Sequence, residues 1–143
     1  MELIDQISIN QYAQGVVSIE QILDCYDTFS LKKKKDYLEI LIGYFILQSK
    51  PLDSDIPLAI KESGLKPTYT PCVMLKKGVS PHILRNIIAL PENESKKVLI
   101  LLLSLFKIAY LRRFHNEKND PNKWWYWDLS DEKNIEIILH SLH

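Results

Sequence analysis

A chain of 143 residues can build one ordinary domain with a real core and leaves little room for two. Hydrophobic residues make up 46% and charged residues 25%, a composition that excludes a disordered tail or linker. The 18 Lys and Arg balance the 18 Asp and Glu, so no bulk field draws the chain to nucleic acid.

The charge is unevenly placed. Residues 1–31 hold Glu2, Asp5, Glu20, Asp24 and Asp27 and no Lys or Arg. Residues 61–118 hold eleven basic residues against four acidic ones, and the stretch from Asp128 onward is acidic again. Such asymmetry bears on which partners are attracted, not on fold. The opening MELIDQISIN lacks a basic segment followed by an apolar one, so a signal peptide is not expected and the cytoplasm is. Cys25 and Cys72 are too few for a disulfide framework and read as a buried pair of free thiols in a reducing compartment.

Taken in chain order, SINQYAQG predicts a short helix from a Ser8 cap to a Gly15 stop. Ser18 caps the next, with Gln21 placed for a capping box. In it Ile19, Ile22, Leu23 and Tyr26 form a buried stripe, and Glu20, Asp24 and Asp27 fall on the other face. Ser30 caps a helix running to about Lys50, before Pro51. Leu38, Leu41, Ile42 and Phe45 are its buried positions, widened by Tyr37, Tyr44 and Leu47; Lys32, Asp36, Glu39, Gly43 and Lys50 trace its polar stripe. Lys32 to Lys35 stand at the end where the helix dipole disfavours them and read as a solvated first turn.

Ser54 or Asp55 caps a helix that Gly64 stops in a left-handed conformation, with Leu65 meeting Ile60. Thr70-Pro71 and Ser80-Pro81 each open a short helix, a hydroxyl capping and proline at the first position. A short strand over Cys72–Leu75 competes with the first of these but has no partner.

Pro91 to about His115 follows, PENESKKVLILLLSLFKIAYLRRFH. From Val98 to Leu111 only Ser104 and Lys107 clearly interrupt the apolar run. The span is too short, and broken by a lysine, to cross a bilayer; it suits a central helix of about 24 residues surrounded by its own protein. Beyond it lie a turn-rich loop around Asp120-Pro121, the tetrad Trp124-Trp125-Tyr126-Trp127, and a last helix capped by Ser130. The fold class is therefore all-α: a single domain over residues 1–143, with six to eight helices around the 91–115 helix.

Chemistry is sparsely signalled. No C-x-x-C or H-x-x-x-H pair joins the cysteines to His82, His115, His140 or His143, so no metal or cofactor is expected. No nucleophile elbow, Gly-rich phosphate loop or H-E-x-x-H is present, and no catalytic residue is assigned. The tryptophans read two ways. They plug the end of the bundle, or one pair anchors the fold while the other meets a partner. Arg112, Arg113 and His115, just before them, could complete a cationic, ring-lined pocket for an anionic or planar ligand, or only offset the helix dipole.

The phrases SGLKPTYTPCVMLKKG (63–78), LPENE (90–94), FKIAYLRR (106–113), the later WWYWDL and the opening INQYAQG resemble a family of small bacterial proteins, a domain of unknown function. The resemblance implies a bacterial single-domain protein and carries over no catalytic residue.

The leading expectation is a protein-binding module, most concretely an immunity-type protein that neutralises a basic toxin by covering it. Glu20, Asp24 and Asp27 would steer the encounter, and Trp124, Trp125 and Trp127 would supply a buried anchor. The alternative is a small-molecule or anionic-ligand binding protein, or an enzyme, with its site at Arg112, Arg113 and the Trp124–Trp127 end. Nucleic acid and membranes are not expected as partners.

Overall fold

The computed structural model describes residues 11–12, 15–44, 51–89 and 94–117, excepting the side chains of Tyr44 and of residues 113–117. The tryptophan tetrad, the helix expected from Ser130 and the end of the helix predicted from Ser30 to about Lys50 lie outside them, as does most of the first predicted helix, of which Gln11 and Tyr12 are helical. The described residues form six α-helices and no strand: α1 (Ile19–Asp27), α2 (Leu31–Tyr44), α3 (Asp55–Ser63), α4 (Thr70–Leu75), α5 (Pro81–Ile88) and α6 (Ser95–Glu117). The fold is all-α.

The helices start and stop largely where their caps dictate. Ser18 Oγ accepts from the Gln21 amide at 3.2 Å and Gln21 Oε1 accepts from the Ser18 amide at 2.9 Å, closing the capping box of α1. Ser30 accepts from the Lys33 amide and Ser80 from the Ile83 amide. Gly64 ends α3 at φ 71°, a left-handed residue that glycine adopts without steric cost. Two expected caps do not form. Tyr69, not Thr70, precedes α4, and Thr70 is already helical. At α3 neither Ser54 nor Asp55 makes a side-chain cap; the Asp55 carboxylate instead reaches back to accept from the Leu52 amide at 2.7 Å.

Helix α6 is unbroken through Val98–Leu111 and is the centre of the core. Leu99, Leu101, Leu102, Leu103, Leu105 and Phe106 are all fully buried, residues that no single stripe could contain. It packs most extensively on α3 and also against α2 and α5, while α5 bridges to α2 and α4. Because α2 meets both α5 and α6, its buried arc is wider than the spacing indicated. Ile40 is fully buried, and Gly43, placed by the pattern on the polar stripe, is buried too.

Aromatic rings hold α1 to α2. Tyr26, Phe29 and Tyr37 pack with centroids 5.9 to 6.1 Å apart, each pair tilted or edge-on. The lysines that open α2 gain a purpose here. Lys33 Nζ lies 4.2 Å from the Phe29 centroid and Lys34 Nζ 5.5 Å from that of Tyr26, so their charges rest on ring faces.

At the other end of α6 the Tyr69 hydroxyl donates to Glu94, and Lys97 Nζ sits 5.4 Å from the Tyr69 ring centroid. Burial, and then the neighbouring Glu94 carboxylate that its proton serves, push the Tyr69 phenol from 10.0 up to about 12. The neutral phenol is thus the favoured form. Its contribution to stability is complete below the unfolded value near 10 and is lost as pH rises towards about 12. Titration followed by phenolate absorbance should show a tyrosine ionising in that late range, and the difference spectrum against Tyr69→Phe should isolate it. A tyrosine lost from the ordinary range near 10 would contradict the Glu94 contact.

Candidate functional site

Three surfaces are candidates for a functional site. The first is the outer face of α1. Ile22 and Tyr26 bury one side of this helix, which leaves Glu20, Asp24 and Asp27 exposed. Asp27 accepts from Lys96 Nζ at 2.9 Å, both side chains being about half exposed. A pair so open to water is weak and easily exchanged. The face therefore presents the exposed carboxylates of Glu20 and Asp24 beside that of Asp27, which is held lightly.

The second is the end of α6 at Arg112. Its Nε lies 2.9 Å from Asp55 Oδ1 and its Nη2 lies 3.1 Å from Oδ2. The fork closes on a carboxylate that is 3% exposed and that also accepts from the Leu52 amide. Arg112 thus ties the start of α3 to the last turns of α6. Its guanidinium is engaged within the fold, a role that neither dipole compensation nor an anion pocket describes. The side chains of Arg113 and His115, and Trp124, Trp125 and Trp127, lie outside the described residues.

The third surface was not anticipated. The turn after Tyr12, helix α1, the end of α3 and one stripe of α6 enclose a cleft of about 420 Å³. Ile100, Ser104 and Lys107 stand at i, i+4 and i+7 and so share that stripe. Lys107 Nζ donates to Glu62 Oε1 at 2.8 Å and lies 5.3 Å from the Tyr12 ring centroid. Ser104, only 2% exposed, donates to the Ile100 carbonyl at 2.8 Å, as helical serines do. Burial raises the Tyr12 phenol, while the Lys107 charge and a hydrogen bond with Ser104 oppose the rise. The hydrogen bond to Glu62 raises Lys107, so its ammonium is secure at neutral pH. Val17, Ile19, Leu23 and Ile100 supply an apolar wall. The signal in the sequence was the pair of polar interruptions in an otherwise apolar helix.

Among the described residues no group of three or more His, Cys, Asp or Glu could hold a metal ion. Cys72 is fully buried, and burial pushes its thiol up, away from the reactive thiolate. No helix among the described residues is long and apolar enough to cross a membrane.

A family model matches residues 4–128, nearly the whole chain. The chain belongs to DUF5958, a family of unknown function. No curated protein and no solved structure matches this DUF5958 member.

Proposed function

We propose that this DUF5958 protein is a protein-binding module whose docking surface is the outer face of α1, and that its partner is basic. The observation that carries the reading is the exposure of Glu20, Asp24 and Asp27 on one short helix that contains no basic residue. Like charges gathered on one face repel one another and attract an oppositely charged surface. Neutralisation of a nucleic-acid-directed toxin in a bacterial cytoplasm is the concrete form of this proposal, since such toxins present basic surfaces. Trp124, Trp125 and Trp127 remain the proposed apolar anchor. An anionic-ligand site at Arg112, Arg113 and His115 has less support, because Arg112 already grips Asp55.

Affinity capture with the tagged protein from its own cell, at low and at high salt, tests the reading. A specific partner should be recovered, and Glu20→Lys with Asp24→Lys should lower its association rate about tenfold or more at low salt. The effect should shrink at high salt as the charges are screened. Unchanged association and unchanged salt dependence would refute the α1 surface. Recovery of no protein above background would refute the binding-module reading itself.

A further inference from the structure

We propose that the cleft between α1, α3 and α6 binds a small zwitterion with an aliphatic tail, of the α-amino acid class. This inference is separate from the docking surface on α1, because Ile19 and Leu23 line the cleft and the exposed Glu20 and Asp24 do not.

The polar end of the cleft decides the charge of the ligand. Lys107 and Glu62 are 2.8 Å apart, with 27% and 39% of their side chains exposed, so both remain reachable from the opening. Together they carry no net charge. A simple anion that approached Lys107 would also meet the Glu62 carboxylate; a simple cation would meet Lys107. A molecule with a carboxylate and an ammonium on adjacent atoms satisfies both. Its carboxylate accepts hydrogen bonds from Lys107, and its ammonium donates to Glu62. Burial favours the neutral phenol of Tyr12, so it adds no negative charge beside Lys107 and Glu62.

The rest of the cleft decides the shape. Val17, Ile19, Leu23 and Ile100 form a wall of aliphatic carbons, and the Tyr12 ring that also lines the cleft lies beside the Lys107 ammonium, so the wall suits a flexible or branched hydrocarbon. A volume of about 420 Å³ lies near the lower end for small-molecule sites and admits a single metabolite. Ser104, at the floor, donates to the Ile100 carbonyl, so its proton is committed to the α6 backbone.

The test is calorimetric titration of the full chain with L-leucine, with 4-methylpentanoate (leucine without its ammonium) and with 3-methylbutylamine (leucine without its carboxylate). Leucine should bind saturably, and each analogue should bind at least about tenfold more weakly, since each leaves one charged partner unmatched. Lys107→Met and Glu62→Gln should each weaken leucine at least about tenfold. Glu62→Gln keeps the size of the side chain, so it serves if Lys107→Met fails to fold, and the helical circular dichroism of each variant verifies the fold. Three results would each overturn the proposal: no binding of leucine at millimolar concentration, equal binding of either analogue, or leucine binding indifferent to both substitutions.

Discussion

Replacing Arg112 by methionine is expected to destabilise the protein by about 3 kcal/mol, the lower end of the cost of breaking a buried ion pair. The reason lies in what is left behind. Asp55 is 3% exposed, and among the described residues its carboxylate keeps the Leu52 amide as a donor in the variant. Arg112 is 27% exposed, so the reverse change is gentler. Asp55→Asn leaves a guanidinium that can turn to water and keeps an oxygen for Leu52, and about 1–2 kcal/mol is expected. The order of the two single variants is thus fixed by which partner can reach solvent. Combining them should recover part of the loss, because asparagine is a cheaper group to bury unpaired than a carboxylate. A coupling energy above about 1 kcal/mol in urea unfolding would be the signature of the pair. If Arg112→Met shifted the midpoint hardly at all, the junction of α3 and α6 would not depend on this contact.

The same pair shows where reading from sequence stops. Arg112 and Asp55 are 57 positions apart, and nothing local to either announces the other. From sequence, Asp55 is a plausible cap and Arg112 a plausible dipole partner or anion site, because those are the roles that neighbours in the chain can define. The local devices were legible: Ser18 with Gln21, Ser80 with Pro81, and Gly64 at φ 71° all involve residues within a few positions. So was α6, whose apolar run is longer than any alternative element accommodates. Lys33 and Lys34 are an intermediate case. Their clash with the helix dipole is visible, but the Phe29 and Tyr26 rings that receive their charges depend on how α1 turns back on α2. The cleft follows the same rule. Ser104 and Lys107 were visible as interruptions at one helical spacing, yet Glu62 lies 45 positions from Lys107 and arrives only because α3 packs along α6.

That packing makes Phe106 the position where the fold should be most sensitive. Phe106→Ala is expected to cost about 4 kcal/mol, within the range for truncating a buried phenylalanine. The ring is fully buried and stacks on Tyr110 with centroids 6.0 Å apart. It lies in the part of α6 that is enclosed on all sides, so the space it leaves cannot fill with water and the surrounding helices can close on it only in part. Such a loss is a large fraction of the roughly 5–15 kcal/mol that holds an ordinary domain together. For a chain of this size it should lower the melting temperature by on the order of 10 °C. Leu111→Ala on the same helix is the control. Leu111 is 41% exposed, and its truncation should cost less than about 1 kcal/mol. Both changes put alanine, the best helix former, into α6, so a difference between them reports burial and not helix propensity. Equal melting temperatures for the two variants would mean that α6 is not the enclosed centre on which the other helices depend.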